Sequence, residues 1–341
     1  MKNGKITENV YKRSILQQLK CKREEVLVGA GPGEDCAILS FSGREDSGKG
    51  KAAANCLVMT ETCFAEDMPV EFEVARTLKH CWNLLAERGV RCVAVSLRIL
   101  MPVTAQEGLL REILASAEQV CGENHVQIAQ AGGSAMGAVS TPVLTVTAVG
   151  RCFAEEGNHF HGVKAARPGQ DLVVCGYIGM EGSAILAQRH RSSLAARYPA
   201  WMIENARAFA SKLSTVQEAE AAMKSGVCAV RNVSEGGILA ALWELAEGAG
   251  VGLTVELRKL PIRQETVEIC NHLNVNPYEL LSGGCLLLTA EDGPGLVNDL
   301  QDQGFHAVIA GKITDSKDRL ILNDEEVRFL DRPHPDSIYG L

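Results

Sequence analysis

One stretch of the sequence constrains the fold more than any other, because an apolar run, a tight turn and an amphipathic segment follow one another directly. The apolar run covers residues 227–230, and the next seven residues read Arg231-Asn232-Val233-Ser234-Glu235-Gly236-Gly237. Over residues 238–250, apolar side chains recur every three to four positions, while Glu244 and Glu247 fall on the opposite face. This order predicts a buried strand that leads through a short turn into a helix.

The turn has features that suit an anionic ligand. Ser234 is a candidate N-cap, and the glycines at 236 and 237 allow a ligand to approach the backbone closely. A helix start presents unpaired N–H groups at the positive end of the helix dipole, and these groups favour a phosphate. The alternative is an ordinary strand-to-helix turn. On this stretch alone the alternative is favoured, because a Gly-Gly pair is a weak signal.

Length and charge limit the class of protein. A chain of 341 residues is long enough for two domains, each with its own core, and 46% of its residues are hydrophobic. The formal net charge of −8 argues against nucleic acid or an anionic membrane surface as the main partner. No apolar run approaches the roughly 20 residues of a membrane span. We therefore expect a small-molecule or protein partner.

The cysteines indicate a reducing compartment. The chain has 12 cysteines without a Cys-x-x-Cys pair, and most of them lie inside apolar runs. This distribution is typical of buried thiols, not of a disulfide framework or a zinc site. The polar N-terminal segment also lacks the apolar stretch of a signal peptide. We expect a cytoplasmic protein.

The order of apolar patterns predicts two α+β domains. Helix-like and strand-like segments alternate with short connections, so each half should carry helices layered on a mixed sheet. We expect an N-terminal domain over residues 1–153, a polar linker over 154–170 and a C-terminal domain over 171–341. Residues 132–137, which begin with Gly132-Gly133, are predicted to form the turn between two strands.

One predicted helix, over residues 71–88, carries an unexpected side chain. Placing its residues at intervals of about 100° puts Leu84 on the polar face, beside Thr77, His80 and Arg88. Leu84 is either a lone exposed apolar residue, or a residue that faces another chain or a lost site.

Six short motifs, taken in order, resemble those of the PurM-like superfamily, the AIR-synthase-related proteins. The HypE branch of hydrogenase maturation factors is the most similar, in particular its archaeal and clostridial members without a C-terminal cysteine. No single motif is specific, but their order and spacing cover nearly the whole chain. The motifs are Gly33-Glu34-Asp35-Cys36-Ala37, Thr60-Glu61, Asn83, Gly179-x-Glu181-Gly182, Asn232-x-Ser234-Glu235-Gly236-Gly237 and Ser282-Gly283-Gly284.

The resemblance implies a fold and an activity. In the two-domain PurM-like α+β fold, the N-terminal domain has a mixed sheet with helices on one face, and its strands pair with a second copy to form a barrel at a dimer interface. The C-terminal domain is a layered α+β structure. Family enzymes use ATP and magnesium to phosphorylate a carbonyl-type oxygen or another acceptor. We therefore expect a homodimer that binds ATP and an unidentified small-molecule or protein acceptor.

The resemblance also implies the site residues. ATP would lie between the carboxylates of the first domain and the Gly-Gly helix start of the second, and Asp35 and Glu61 would hold Mg²⁺ through oxygen atoms. Glu181 would contact the substrate, and no catalytic residue is assigned. The expected nucleotide-binding residues are Gly33, Glu34, Asp35, Asn83, Gly132, Gly133, Glu181, Asn232, Ser234, Glu235, Gly236 and Gly237.

The sequence departs from the family pattern at the expected metal site. Leu84 and Asn232 stand where the family has aspartates, and Ser134-Ala135-Met136 stands where it has His-Thr-Glu. Two negative charges are thereby removed, so we expect weaker magnesium binding. HypE proteins also carry their thiocarboxamide on a C-terminal cysteine, whereas the last cysteine here is Cys285. Cyanide-ligand synthesis by that route is therefore not expected.

Two functional hypotheses remain open. One is an ATP-dependent, kinase- or ligase-like enzyme in which Asp35 and Glu61 bind the metal. The other is a degenerate family member that acts as a dimeric, nucleotide-sensing scaffold without catalysis, which Leu84 and Asn232 favour. Without the resemblance, the acidic residues Glu34, Asp35 and Glu61 would be read as ordinary polar turns.

Overall fold

A computed structural model describes residues 8–40, 56–64, 68–152 and 162–340. The chain divides into two compact units. The N-terminal unit consists of Arg23–Gly29 and Asp35–Phe160, and the C-terminal unit consists of Met1–Lys22, Ala30–Glu34 and His161–Leu341.

The helices and strands have the following bounds. The α-helices are α1 (Glu8–Val10), α2 (Val70–Ala86), α3 (Glu107–Glu123), α4 (Met180–Arg189), α5 (Arg191–Ala195), α6 (Ala200–Ala208), α7 (Val216–Lys224), α8 (Gly237–Ala249), α9 (Gln264–Leu273) and α10 (Gly293–Asp302). The strands are β1 (Val26–Val28), β2 (Ala37–Ser40), β3 (Cys56–Phe64), β4 (Val90–Pro102), β5 (Gln127–Met136), β6 (Val143–Cys152), β7 (Asp171–Gly176), β8 (Ala229–Val233), β9 (Gly252–Glu256), β10 (Cys285–Ala290), β11 (Ala307–Thr314), β12 (Arg319–Asn323) and β13 (Glu326–Phe329).

Among the described residues of the N-terminal unit, six strands form a mixed sheet in the order β1-β2-β3-β6-β4-β5. Neighbouring strands are antiparallel except β4 and β5, which are parallel. Helix α2 packs against β3, β4, β6 and α3. Its contact face follows the helical period, because Val74, Leu78, Cys81 and Leu85 are all buried. Helix burial and strand alternation thus build the core of this unit.

In the described part of the C-terminal unit, seven strands form a sheet in the order β13-β12-β9-β11-β7-β10-β8. Neighbours are antiparallel except β12 and β9. Every residue of β10 is buried, in keeping with its continuous apolar run. Helix α8 adds Ile238, Leu242 and Leu245 to the same core. The helices and the mixed sheet confirm the predicted α+β class.

The register of this sheet brings three connections to one end. The first residue of β10, Cys285, pairs with Gly176 at the end of β7 and with Val233 at the end of β8. Because β10 is antiparallel to both neighbours, the turns that follow β7 and β8 lie beside the loop that precedes β10. We call this region the turn edge, defined by residues 176–182, 233–237 and 280–285.

The structure bears on three sequence-based expectations. Residues 132–136, predicted as part of a turn, continue β5, because they pair in parallel with residues 98–102 of β4. The expected first domain included all of residues 1–153, whereas Met1–Lys22 and Ala30–Glu34 group with the C-terminal unit. Residues 154–161 of the expected linker lie outside the described ranges. Val163, in the described part of the linker, is fully buried in a short 3₁₀ turn that packs against α8.

Leu84 is buried, with a relative exposure of 6%. The alternative that Leu84 is a lone exposed apolar residue is therefore wrong, because the polar face on which it lies is buried too: Thr77 is 0% and Arg88 3% exposed. No helix in the described ranges is both long enough and apolar enough to cross a membrane.

Candidate functional site

Hydrogen bonds join the glycine-containing motifs of the C-terminal unit at the turn edge. The Gly179 N–H donates to Ser282 Oγ at 2.7 Å, and that hydroxyl donates to the Leu280 carbonyl at 2.7 Å. The Ser282 N–H donates to the Ser234 carbonyl at 3.3 Å. Segments about 50 to 100 residues apart in sequence are thus fixed to one another at a single end of the sheet.

Glu181 supports the loop before β10 from within the protein. It lies in the first turn of α4, is 2% exposed and accepts the Gly283 N–H at 3.0 Å through Oε2. A Cβ atom at position 283 would come within 2.5 Å of that carboxylate oxygen, so the contact requires glycine there. The carboxylate expected to contact substrate therefore holds the Ser-Gly-Gly loop in place.

The two glycines of the turn before α8 are required by neighbouring protein atoms. Gly236 and Gly237 have φ angles of +79° and +64°, in the left-handed region that favours glycine. A Cβ atom at position 237 would lie 2.5 Å from the Tyr278 carbonyl oxygen and 2.8 Å from the Leu280 N. Gly237 therefore allows the backbone of residues 278–280 to approach the start of α8 closely.

The expected N-cap at Ser234 is not formed by its side chain. The residue before α8 is Gly236, and no side chain caps the helix through the hydrogen bond that an N-cap makes. Instead, the Ser234 carbonyl accepts the Gly237 N–H at 3.1 Å. The left-handed glycines place the N-cap at Gly236 and the first helical residue at Gly237, which puts the Ser234 hydroxyl out of register for capping.

A residue that the sequence did not reveal binds the helix start. The carboxylate of Asp336 accepts the Gly236 N–H at 2.7 Å through Oδ2 and the Ile338 N–H at 3.0 Å through Oδ1. Asp336 is 2% exposed, and burial raises its pKa to about 7, helped by the charge of Glu235 and opposed by the donated N–H groups. The contact joins residues 100 positions apart, and nothing in the local sequence indicates it.

The remaining predicted residues of β8 are buried. Asn232 is 1% exposed and lies opposite Leu286 of β10. Arg231, 2% exposed, forms an ion pair with Glu244 of α8. Glu235 is partly exposed in the turn itself.

In the N-terminal unit, three predicted segments contact one another. The Thr60 hydroxyl donates to the Asp35 carbonyl at 2.7 Å, and the Cys36 thiol donates to the Leu84 carbonyl at 3.1 Å. Asn83 is 1% exposed. Glu61 lies in β3, but its side chain falls outside what the structure describes. The motifs around Asp35, Thr60 and Asn83 are thus assembled at one place.

The Cys36 thiol at this place has low reactivity near neutral pH. Burial raises the pKa of Cys36 well above its usual value, the negative charges of Glu87 and Asp35 add to the shift, and Arg88 opposes it. Cys36 therefore stays protonated near neutral pH and is a poor metal ligand.

Gly33 and Glu34 belong to the C-terminal unit. Glu34 pairs with Lys164 at 3.0 Å. A Cβ atom on Gly33 would lie 3.4 Å from the Glu244 carbonyl oxygen, seven residues after the start of α8 at Gly237. Since a helix rises 1.5 Å per residue, these residues lie about 10 Å along α8 from its start.

The last predicted pair, Gly132 and Gly133, lies in β5 opposite Arg98 and Ile99 of β4. Arg98 donates from Nη2 to Ser134 Oγ at 3.0 Å. Strand β5 is the last strand of its sheet, so these glycines lie on an edge.

The described side chains do not by themselves fit a magnesium site. In the part of the chain that the structure describes, no group of three or more His, Cys, Asp or Glu side chains could hold a metal ion. Magnesium requires several oxygen ligands in near-octahedral geometry. Of the two predicted metal ligands, Asp35 and Glu61, the structure describes the side chain of Asp35. Leu84, at a position where the family has an aspartate, contributes no side-chain oxygen.

The comparison with known families matches most of the C-terminal unit. Residues 167–323 match the family described as AIR synthase related protein, C-terminal domain. This segment is an AIR synthase-related C-terminal domain. The predicted resemblance to AIR-synthase-related and HypE-type proteins is thereby confirmed, and the relatives below agree with it.

Two curated relatives are hydrogenase maturation proteins. The chain is 28% identical over 206 residues to carbamoyl dehydratase HypE of Rhodobacter capsulatus, and this match covers 60% of this chain and 58% of that protein. It is 24% identical over 261 residues to a putative hydrogenase expression/formation protein of Methanocaldococcus jannaschii, and this match covers 75% of both chains. The match thus spans little more than half the length of the Rhodobacter protein.

Solved structures with the same fold cover both units. A HypE structure in complex with ATP matches with a TM-score of 0.69 at 17% identity, over 99% of this chain and 97% of that one. The ThiL structure complexed with AMPPCP and TMP matches with a TM-score of 0.67 at 15% identity, over 86% and 88%. A HypE–HypF complex matches with a TM-score of 0.65 at 18% identity, over 81% and 90%. At these identities the likeness establishes the fold.

Proposed function

We propose that this chain binds ATP and transfers its γ-phosphoryl group to a carbonyl- or amide-type oxygen. The observation that carries the proposal is the turn edge, where three glycine motifs are fixed to one another by Ser282, Ser234 and Glu181. Phosphoryl transfer depends mainly on positioning and on charge neutralisation, so it requires such rigid loops.

The relatives support the same chemistry. Proteins with this fold were solved with ATP and with AMPPCP, and two of the names above describe a carbamoyl dehydratase and a hydrogenase formation protein. Dehydrating a carboxamide requires its oxygen to leave. Phosphorylation turns that oxygen into phosphate, a far better leaving group, with ADP as the other product. A protein acceptor or partner fits the proposal as well as a small molecule does.

Cysteine 285 cannot serve as the acceptor. It is 0% exposed at the start of β10, and burial raises its pKa well above the usual value. A group carried by a partner could not reach this thiol in the folded chain. The acceptor in our proposal is therefore supplied by another molecule or by a different part of the chain.

Magnesium is part of the proposal with Asp35 and Glu61 as its ligands. Its contribution would be to neutralise phosphate charge. Because the described donors are few, we assign no step to the metal. The chain's own contribution is the backbone geometry of the turn edge and of the segment around Asp35.

A second function is favoured by two buried residues. Leu84 and Asn232, which replace the family's aspartates, are only 6% and 1% exposed and belong to well-packed elements. A chain that has lost these charges could still bind nucleotide and act as a dimeric, nucleotide-sensing scaffold. In this proposal the homodimer contact involves β5, an edge strand whose residues are all exposed or half-buried. Val93 of the neighbouring strand β4 is also 55% exposed.

The experiment that separates the two functions measures ADP formation from ATP with magnesium, alone and with N-acetyl-S-carbamoylcysteine as an amide acceptor. The enzyme proposal predicts ADP formation that increases with the acceptor and falls at least tenfold in Asp35→Asn. The matched control is Asp299→Asn, an exposed position on α10, which should leave the rate unchanged. ATP binding without ADP formation would favour the scaffold, and neither binding nor turnover would contradict both.

A further inference from the structure

Strand β13 lies at one edge of the C-terminal sheet. It pairs with β12, and no described strand lies on its other side. All four of its residues, Glu326–Phe329, are exposed. The free edge of a sheet presents backbone N–H and C=O groups with which another strand can pair, and proteins usually protect such an edge with charge, proline or a covering loop. Here two of the four residues are apolar, so the edge is open to a further strand.

The register of the β12–β13 hairpin shows which backbone groups face outward. The Leu330 N–H donates to the Arg319 carbonyl at 2.7 Å, so it points toward β12. Successive residues of a strand direct their backbone groups to alternate edges, and Val327 and Phe329 therefore direct theirs away from β12. The described part of the chain supplies no hydrogen-bond partner for these outward groups.

The same two residues carry exposed apolar side chains. Val327 is 59% and Phe329 66% exposed. They lie opposite Leu322 and Leu320 of β12, which are half-buried, and opposed residues of an antiparallel pair share one face of the sheet. We call these four residues the edge patch. A strand that pairs with β13 would bury apolar surface as well as satisfy backbone groups.

The charged residues of β13 have no ionic partner in the described part of the chain. Glu326 and Arg328 alternate with the edge-patch residues, so they lie on the other face of the sheet, and both are exposed. Neither forms an ion pair with a described residue, whereas the neighbouring Asp324 pairs with Arg258. The strand therefore carries one unpaired negative and one unpaired positive charge, two residues apart.

A second copy of β13 complements this strand in one antiparallel register. When two copies pair about a two-fold axis through Val327, each Val327 N–H donates to the Val327 carbonyl of the other copy. Glu326 of each copy then lies opposite Arg328 of the other, which forms two ion pairs. A shift of two residues instead places Arg328 opposite Arg328, and like charges in this position are destabilising. The edge patches of the two copies become continuous in the favoured register.

We propose that β13 binds β13 of a second copy of this chain, in the antiparallel register centred on Val327, so that the two C-terminal sheets join into one. The occupant is a second copy because the strand is complementary to itself in charge. This contact is separate from the proposed contact through β5, which belongs to the N-terminal unit. Two four-residue strands bury less than the roughly 1,200 Å² of a stable complex, so the association is reversible and increases with protein concentration.

Sedimentation velocity of the full chain at increasing protein concentration tests this association. Val327→Pro removes an outward N–H and leaves the pairing with β12 intact, because the N–H groups that face β12 belong to Glu326 and Arg328. It should weaken the association at least about tenfold, since two backbone hydrogen bonds are lost. Val327→Ile keeps the N–H and the apolar side chain, so this matched control should associate like the wild type.

Charge reversal tests the register. Glu326→Arg and Arg328→Glu should each weaken the association at least about tenfold, because each places like charges opposite one another at two positions. Combining Glu326→Arg with Arg328→Glu restores opposite charges, and this double variant should associate within about threefold of the wild type. The exposed positions of these side chains make the variants unlikely to unfold the chain, so they also decide the outcome if Val327→Pro does not fold.

Two results would overturn the proposal. One is a wild-type chain without any association that Val327→Pro removes, including a dimer that every variant retains, because such a dimer uses another surface. That result would leave a different protein as the partner of this edge. The other is a double charge variant that associates as weakly as the single variants, because opposite charges would then not meet across β13. Recovery in the double variant supports the second copy and its register.

Discussion

Replacing Gly237 by alanine tests whether the helix start is shaped by the protein's own backbone. Both Gly237 and Gly226 adopt positive φ angles, +64° and +79°, so alanine at either position costs about 1–2 kcal/mol of strain. At 226 the added Cβ atom meets nothing within 4 Å, whereas at 237 it lies 2.5 Å from the Tyr278 carbonyl oxygen. Forcing that backbone apart should add about 1–3 kcal/mol. We expect Gly237→Ala to cost about 2 kcal/mol more than Gly226→Ala.

Urea unfolding of the C-terminal unit measures this difference. Trp243 lies in α8 and reports on the helix directly once Trp82 and Trp201 are replaced by phenylalanine. A separate reporter is needed because the two units need not unfold together. If the two alanine variants lose equal stability within about 0.5 kcal/mol, the 278–280 backbone does not approach Gly237 as described. A ligand would then be the better explanation for the glycine.

Three further predictions concern single side chains. Glu181→Ala should lower the free energy of unfolding by about 2–4 kcal/mol in the same urea assay, because it leaves a buried N–H without its acceptor. Glu181→Gln should lower it by about 1 kcal/mol. Unchanged stability in both variants would show that Glu181 does not support the loop. The unfolded chain releases the Asp336 proton near pH 3.8, whereas the folded chain keeps it to about pH 7. Stability should therefore fall by up to about 4 kcal/mol as pH rises from about 4 to about 7, and this slope should vanish from pH-dependent unfolding of Asp336→Asn. Iodoacetamide should alkylate the exposed Cys21 within minutes and leave the buried Cys285 unmodified. Peptide mapping by mass spectrometry measures this difference, and rapid labelling of Cys285 would contradict its burial.

Local patterns predicted the elements of the fold well. The periodic segment at 238–250 forms α8 over Gly237–Ala249, and the periodic segment at 71–88 forms α2 over Val70–Ala86. Both succeed because side-chain periodicity directly reflects which face is buried. The α+β class followed from the order of such elements.

The errors arose where contacts between distant residues decide the structure. Gly132 and Gly133 look like turn residues, but pairing with β4 keeps them extended. The polar face of α2 is buried, and so is Leu84. No periodicity reports such tertiary burial, because it depends on what packs against the helix.

The candidate site was predicted only in part. The motifs around Asp35, Thr60 and Asn83 contact one another, and the glycine motifs of the C-terminal unit meet at the turn edge. Asp336 was missed, since a carboxylate that binds a helix start 100 residues away leaves no local signal. The contact of Gly33 with the second half of α8 was also not predicted, because no local pattern indicates it.

The central claim is that this chain binds ATP, and equilibrium dialysis of the wild-type protein against labelled ATP tests it most directly. With magnesium present, we predict saturable binding of one ATP per chain that excess unlabelled ATP displaces and excess unlabelled pyrimidine nucleoside does not. No binding at millimolar ATP would contradict it.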